Sequence, residues 1–377
     1  MTTYPTYKLG EILSYEQPTN YIVESTEYDD SYPTPVLTAG KSFILGYTNE
    51  TKGVYDKLPV IIFDDFTTAS QFVDFKFKVK SSAMKILSCN EEIADIKYMY
   101  YLMQITHIQS DTHKRYWISD YSKIPVSLPP LPTQHAIVTR IETLFAELDK
   151  AVQHLRTAQQ QLKTYRQAVL NHWLNNDEGK WETVKLGEVA DVNTGSTPKR
   201  GNKEYWENGT IPWITSGETN NQYITKATEF ITTKAVAETN CKIIAKGSLV
   251  IAMYGEGKTR GKCAELSIDA TTNQALASIT FTDSRMYKNF AKWFFEKNYE
   301  DMRMLSSGGV QPNLNLGIIK NMILPLPPLT EQQLIVKEIE SRLSQAEAAE
   351  ASIAEALQKT EALRQSILKK AFSGELV

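Results

Sequence analysis

Three stretches of the chain carry residue types that could do covalent chemistry. Ala252-Met253-Tyr254-Gly255-Glu256-Gly257-Lys258-Thr259 is a relaxed spelling of a phosphate-binding loop, with alanine in the first glycine position. Such a loop works where a strand turns into a helix whose N-terminal N–H groups face the phosphates. The following residues, Arg260-Gly261-Lys262-Cys263-Ala264-Glu265-Leu266, hold a further glycine and do not read as a helix opening. Tyr254-Gly255-Glu256-Gly257 shares glycine spacing with a methyl-donor loop. An amino-methyltransferase would add Asn/Asp-Pro-Pro-aromatic, however, and both Pro-Pro pairs here lie in Leu-Pro-Pro-Leu. Asp65 with Asp74-Phe75-Lys76 has the residue types of a metal-dependent nuclease. Asp74 and Lys76 also share the outer face of an alternating strand, and the second half of the chain holds no copy. His107, His113, His135, His154 and His172 show no metal spacing. Cys89, Cys241 and Cys263 form neither a disulfide framework nor a zinc cluster and suit a reducing compartment. No catalytic residue, metal or cofactor of the chain's own is expected.

What remains is binding chemistry. Thr194-Gly195-Ser196-Thr197-Pro198-Lys199-Arg200-Gly201-Asn202-Lys203 combines hydroxyls, cations, glycines and an amide, and Trp213-Ile214-Thr215-Ser216-Gly217-Glu218 follows. Cations anchor phosphates, while Asn, Gln, Arg and Glu read base edges. Lys258, Arg260 and Lys262 alternate, so an extended chain would line them on one face. Asn273, Gln274, Gln311 and Asn313 lie in polar turns. In the first half, Thr67 and Thr68 and the run His113-Lys114-Arg115 supply comparable tips. The candidate nucleic-acid contacts are therefore Lys199, Arg200, Asn202, Lys203, Thr215, Ser216, Lys258, Arg260, Lys262, Asn273, Gln274, Gln311 and Asn313, with Thr67, Thr68, His113, Lys114 and Arg115.

These loops must be held by something, and the chain says what by repeating itself. Leu128-Pro129-Pro130-Leu131 recurs as Leu326-Pro327-Pro328-Leu329, an offset of 198 residues. Gln134, Ile137, Val138, Ile141, Arg166 and Leu170 recur without a gap as Gln332, Ile335, Val336, Ile339, Arg364 and Leu368. Lys8-Leu9-Gly10-Glu11 is echoed by Lys185-Leu186-Gly187-Glu188 at the start of the second copy. The offset is far above that of a solenoid, so each copy is a domain plus a helix. It sets His113-Lys114-Arg115-Tyr116 opposite Gln311-Pro312-Asn313-Leu314; further upstream, outside that gapless register, Phe63–Thr68 is matched with the strand end at Met253-Tyr254-Gly255. Similar frames thus carry different polar tips.

Four segments follow: residues 1–127 as a first recognition domain, 128–179 as proline connector and long helix, 180–325 as a second domain, and 326–377 as a second connector and helix. Within the first domain Val60-Ile61-Ile62-Phe63 and Phe75–Val79 read as strands, and Ile93 to Ile105 as a helix. Within the second, Gly247–Met253 reads as a buried strand and Arg285 to Leu305 as a helix. Residues 128–132 read as extended. Ile141, Leu148, Leu155, Leu162 and Val169 are spaced by seven, with Leu144, Ala151, Ala158 and Tyr165 between them, a heptad seam. The second helix offers Ile339, Ala346, Ala349, Ile353, Ala356, Leu363 and Ile367, preceded by a capping box of Thr330 and Gln333. Two such stripes should bury one another as an antiparallel coiled coil. The fold class expected is mixed α+β: two α/β recognition domains at opposite ends of an antiparallel two-helix coiled coil, with a pseudo-two-fold repeat.

Composition is that of an ordinary globular protein: 377 residues, 42% hydrophobic, 23% charged, net charge −3. Any anion-binding surface must then be local. No apolar run approaches a membrane span and no secretory leader is visible. A coiled-coil adaptor whose head domains bind proteins is the alternative from another class.

Several motifs together resemble a known family. They are Trp181-Glu182-Thr183-Val184-Lys185-Leu186-Gly187-Glu188, Gly195-Ser196-Thr197-Pro198, Ile211-Pro212-Trp213, Leu326-Pro327-Pro328-Leu329 with Glu331-Gln332 and Ile335-Val336, and the tail Ala371-Phe372-Ser373-Gly374-Glu375-Leu376. In this order they resemble the specificity subunit of Type I restriction-modification systems, over essentially the whole chain. The first domain departs from the pattern, having Tyr32-Pro33-Thr34-Pro35-Val36-Leu37 in place of the Gly-Ser-Thr-Pro and Ile-Pro-Trp copies. The resemblance implies a non-catalytic cytoplasmic DNA reader, each domain recognising half of a split target and the helices setting the spacer. It also implies two modification (methyltransferase) subunits and motor-nuclease restriction subunits as partners. S-adenosylmethionine, ATP and Mg would then belong to those partners alone.

Overall fold

The computed structural model describes residues 4–40, 42–106, 115–176, 179–255, 259–304 and 313–376. It divides into two compact units, residues 1–156 with 354–377, and residues 157–353. The division falls inside both long helices, Leu131–Leu174 and Leu329–Phe372, so each unit holds one mixed head and a part of each helix.

In the first unit a four-stranded antiparallel sheet runs in the order Leu13–Glu16, Met84–Cys89, Val60–Asp64, Ser70–Val73. A three-stranded sheet has Thr34–Leu37 at its centre, antiparallel to Ile44–Thr48 and parallel to Lys78–Val79. The second unit repeats this plan. Ala190–Thr194, Leu276–Phe281, Leu249–Ala252 and Cys263–Leu266 lie in the same order, with Tyr223–Ile224 added at the edge. Ile211–Ile214 is the centre of its small sheet, antiparallel to Glu229–Ile231 and parallel to Thr271–Thr272. Thr34–Leu37 is thus the counterpart of Ile211–Ile214, although Val36 stands where Trp213 does.

The apolar runs of the central strands follow from burial on both faces. Ile61 and Phe63 pack with Trp117, Tyr121, Ile137, Ile141 and Leu368, while Val60 and Ile62 pack with Val73, Phe77 and Ile86. Leu249 and Ile251 likewise join Leu170, Leu174 and Ile339, and Val250 and Ala252 join Ile214 and Leu266. Fully burying each large apolar side chain contributes about 1.5–3 kcal/mol.

Each head closes the same way. Thr6–Lys8 pairs with Pro125–Ser127, and Glu182–Lys185 with Ile323–Leu326. The two echo motifs sit directly after the first strand of each pair, with the Lys8 N–H donating to Glu11 and the Lys185 N–H to Glu188. Gln134 and Gln332, both fully buried, then tie each long helix to its head. The Gln134 amide accepts from Asp95 N (2.8 Å) and donates to Ile93 O and Pro129 O. Gln332 accepts from Tyr287 N (2.7 Å) and donates to Arg285 O and Pro327 O.

Within each unit the two helices run antiparallel. In the first unit Ile137–Ile141 packs near Leu368 and Ala371, and further along Asp149 pairs with Arg364. In the second unit Arg166 pairs with Glu347 at 3.3 Å. The repeat offset converts one ion pair into the other: Asp149 corresponds to Glu347 and Arg364 to Arg166.

Several expectations are corrected. The line Leu144, Ala151, Ala158, Tyr165 is not the second row of the seam, because Ala151 is exposed and Tyr165 is 42% exposed. Phe145, Val152, Gln159 and Arg166, four rather than three beyond each Ile141-type position, are all half-buried, whereas the expected line is half-buried only at Leu144 and Ala158. Leu363 is likewise 49% exposed and Arg364 takes the inner place. A long guanidinium stem can line an apolar seam while its head reaches an acid, so hydrophobicity alone chose the wrong neighbour. The connector is not extended throughout, since the first helix begins at Leu131 with Pro132 in its first turn, where a missing N–H costs nothing. The second begins at Leu329, which puts Thr330 inside the helix rather than at a cap, and Gln332 rather than Gln333 is the engaged glutamine. Phe75–Val79 is strand only at Lys78–Val79. Lys78 is buried, its ammonium held by Glu50 (2.6 Å) and Lys52 O, so the alternating pattern misassigned its face. The expected helix from Arg285 is two helices, Lys288–Lys297 and Tyr299–Met304, meeting at Asn298; Leu305 lies outside the described residues.

Candidate nucleic-acid interface

The second head builds its polar loop on tryptophans. Gly195 starts the loop so close to the parallel strand that a Cβ there would lie 1.9 Å from Thr272 O; only glycine fits. Ser196 N donates to Thr272 O, and Ser196 O receives both the Trp213 indole N–H (3.0 Å) and the Cys241 thiol. Thr197 is hydrogen-bonded to the Gln274 side chain. Lys199 O accepts the Trp206 indole N–H (3.3 Å) and Asn202 N. Asn202 caps the short turn Lys203–Tyr205 through Glu204 N.

Arg200, although exposed, is engaged by partners within its own head. Its guanidinium lies 4.0 Å from the Trp206 ring centre and 4.8 Å from that of Trp213, and it forms a fork with both oxygens of Glu229. The hydrogen bond from Arg200 holds the Glu229 carboxyl below its usual range. Lys199 and Lys203 are exposed; Lys203 pairs with the exposed Glu207 at 3.4 Å. Thr215 is occupied by Glu218 as a capping box, and Ser216 O accepts the Thr219 hydroxyl. The Asn273 side chain accepts Ala275 N, closing its own turn. Thr194 bonds the backbone of Gln274 and Leu276.

For Arg260 and Lys262 the expected extended chain is not what the structure has. Thr259 to Gly261 make a turn, with Gly261 at φ +86°, and the strand starts only at Cys263. Arg260 reaches toward Arg303 O, and Lys262 donates to Asn220 (2.7 Å) at the wall of a cavity of about 400 Å³. That cavity also carries Glu296, Glu300 and Asp301, a mixed lining rather than an anion cradle. Lys258, His113, Lys114 and Gln311 lie outside the described residues.

The first head frames its tips in the same way with different residues. Asp64 accepts Phe66 N and Thr67 N in a tight turn, and Thr68 takes φ +59°. Arg115 is exposed and opens the helix Tyr116–Ser119. Tyr116 N donates to Asp65 O (2.9 Å), as Leu314 N donates to Met253 O (3.0 Å), so Arg115 and Asn313 are structural counterparts. Asp65, part of the nuclease-like pattern set aside above, is fully buried. It accepts Trp117 N (2.8 Å) and pairs with buried Lys85 at 3.1 Å, whereas Asp74 and Lys76 lie on the surface. Among the described residues no group of His, Cys, Asp and Glu could hold a metal, and no helix is long and apolar enough to cross a membrane. Glu229 and Lys85 carry no local sequence signal, because the charge each one pairs with lies 29 residues away in one case and two strands back along the chain, at Asp65, in the other.

Residues 1–155 and 178–358 match the family model described as Type I restriction modification DNA specificity domain. The chain is 36% identical over 343 residues to the specificity subunit of the Type I restriction enzymes EcoR124I/EcoR124II of Escherichia coli, covering 87% of this chain and 84% of that one. It is 31% identical over 159 residues to the MjaIX specificity subunit of Methanocaldococcus jannaschii, covering 41% and 36% of the two. A solved structure described as the basis of complex assembly and conformational transition of the type I R-M system superposes with a TM-score of 0.78 at 19% identity, over 100% of this chain and 99% of that one. The HsdS subunit of Thermoanaerobacter tengcongensis gives 0.60 at 18% identity, over 100% and 98%.

Proposed function

The chain belongs to the Type I restriction-modification DNA specificity family, and on that premise we propose that it reads a bipartite duplex target, one half with each head, while catalysing nothing itself. Its role is sequence recognition within a Type I restriction-modification system. In the proposed assembly two modification subunits supply the methyl transfer and bind S-adenosylmethionine. Restriction subunits supply the motor and nuclease with ATP and Mg. The two long helices set the separation of the half-sites.

One observation carries this reading. The two heads share sheet order and backbone hydrogen bonds, yet Arg115 stands in one where Asn313 stands in the other. Two copies of one frame with different polar tips suit two related readers of different sequences, with base-edge contacts each discriminating by about 1–3 kcal/mol.

The test uses the chain assembled with its modification subunit. Mapping methylated adenines in the host genome should return an interrupted motif. Removing one heptad from each long helix, between Asp149 and Arg166 and between Glu347 and Arg364, shortens each by about 10.5 Å. The preferred spacer should then contract by about three base pairs at 3.4 Å each. A short uninterrupted motif, or an unchanged spacer, would refute the proposal. Failure to bind DNA at all, with protein partners retained, would favour the adaptor.

A further inference from the structure

We infer that Arg200 is a positioning residue that preorganises the 195–203 loop for DNA, and that Lys199 and Lys203, not Arg200, present the loop's charge. The inference rests on the second head being a DNA reader. Its ground is the way the loop is built. Trp213 and Trp206 each hold one loop carbonyl, those of Ser196 and Lys199. The Arg200 guanidinium packs against both rings, at 4.0 and 4.8 Å from their centres, and bridges them to Glu229 on the strand Glu229–Ile231. One side chain therefore ties together the two indoles that pin the loop and the sheet beneath it. A planar cation stacked on aromatic faces and forked onto a carboxylate is a geometry lysine cannot reproduce.

The same contacts count against Arg200 as a phosphate anchor, although 53% of its side chain is exposed. Its charge is already neutralised by Glu229, and a phosphate reaching the guanidinium would meet that carboxylate as well. Lys199 and Lys203 carry no such forked acid, and Lys203 is 82% exposed. Fixing the loop before binding removes the ordering cost that a free loop would otherwise pay on association.

The sign of one substitution separates the two roles. The assembled modification complex is titrated with its cognate duplex across a range of salt, and with a duplex altered only in the half-site read by the second head. If Arg200 positions the loop, Arg200→Lys and Glu229→Gln both weaken cognate binding by roughly tenfold, narrow the preference over the altered duplex, and leave the salt slope unchanged. Lys199→Ala with Lys203→Ala then lowers the slope by about 2. If Arg200 instead contacts phosphate, Arg200→Lys keeps wild-type affinity and Glu229→Gln tightens binding by freeing the cation; either result overturns the inference. Retained discrimination against a third duplex, altered only in the half-site read by the first head, shows that each variant complex is folded. Absence of cognate binding by the wild-type complex would sink the functional reading itself rather than the role of Arg200.

Discussion

Removing Lys85 should leave Asp65 as an uncompensated charge inside the first head, and the second head shows how that damage can be undone. Both side chains are fully buried and 3.1 Å apart, and Asp65 also accepts Trp117 N. Breaking such a pair from one side costs about 3–5 kcal/mol, whereas replacing both partners by well-packed apolar groups can be nearly neutral. The register of the strands gives the replacement. Asp65 N donates to Ala83 O as Met253 N donates to Ala275 O, and the strand pairing sets Lys85 opposite Phe63 as Ala277 lies opposite Ile251. Met253 and Ala277 thus occupy the places of Asp65 and Lys85. Lys85→Ala alone should lose about 3–5 kcal/mol, and so should Asp65→Met alone. The double variant should lose only about 1–3 kcal/mol, the cost of the orphaned Trp117 N–H. The coupling between the sites is then several kcal/mol. Urea unfolding of the purified chain measures the totals. Hydrogen exchange at Val60–Asp64 and Tyr116–Ser119 assigns the loss to the first head. A double variant as unstable as the two single losses added together would refute the reasoning, as would a Lys85→Ala loss below about 1 kcal/mol.

Three further outcomes are expected. Gln332→Ala orphans Tyr287 N and two carbonyls and should cost at least about 2 kcal/mol by urea unfolding, with Gln134→Ala matching it in the first unit; a loss under about 0.5 kcal/mol in either would contradict the helix-to-head tie. Gly195→Ala drives a Cβ onto Thr272 O and should abolish specific DNA binding, while Gly201→Ala, with nothing within 4 Å, should change stability by less than about 0.5 kcal/mol; equal effects would show that the loop is not clamped at Gly195. Double-mutant cycles on Asp149–Arg364 and Arg166–Glu347 should give couplings of about 0.2–1 kcal/mol that shrink with salt, because all four side chains are partly exposed; salt-independent coupling above about 2 kcal/mol would mean the pairs are far less hydrated than the structure has them.

The sequence by itself determined the duplication, the long helices and the class of chemistry. Sevenfold spacing from Ile141 to Val169 is a short-range pattern, and the gapless recurrence of Gln134 as Gln332 is a match of the chain with itself, so a reader of the chain sees both directly. The loops rich in cations and amides were equally visible, and they pointed to binding. Tertiary structure decided which polar groups are available to bind anything. Residue type alone marks Arg200 as a loop cation, and the structure sets Glu229 and two indoles around it; Asp65 has the residue type of a metal ligand, and the fold places Lys85 against it in the core. The seam shows the same division. Spacing predicted that a stripe exists, but Arg166 and Arg364 entered it in place of Tyr165 and Leu363 because each found an acid on the facing helix, for Arg364 at a separation of 215 residues. Periodicity is a property of neighbours along the chain. The free energy of a charge depends on what the fold brings beside it, and that partner has no fixed place in the sequence.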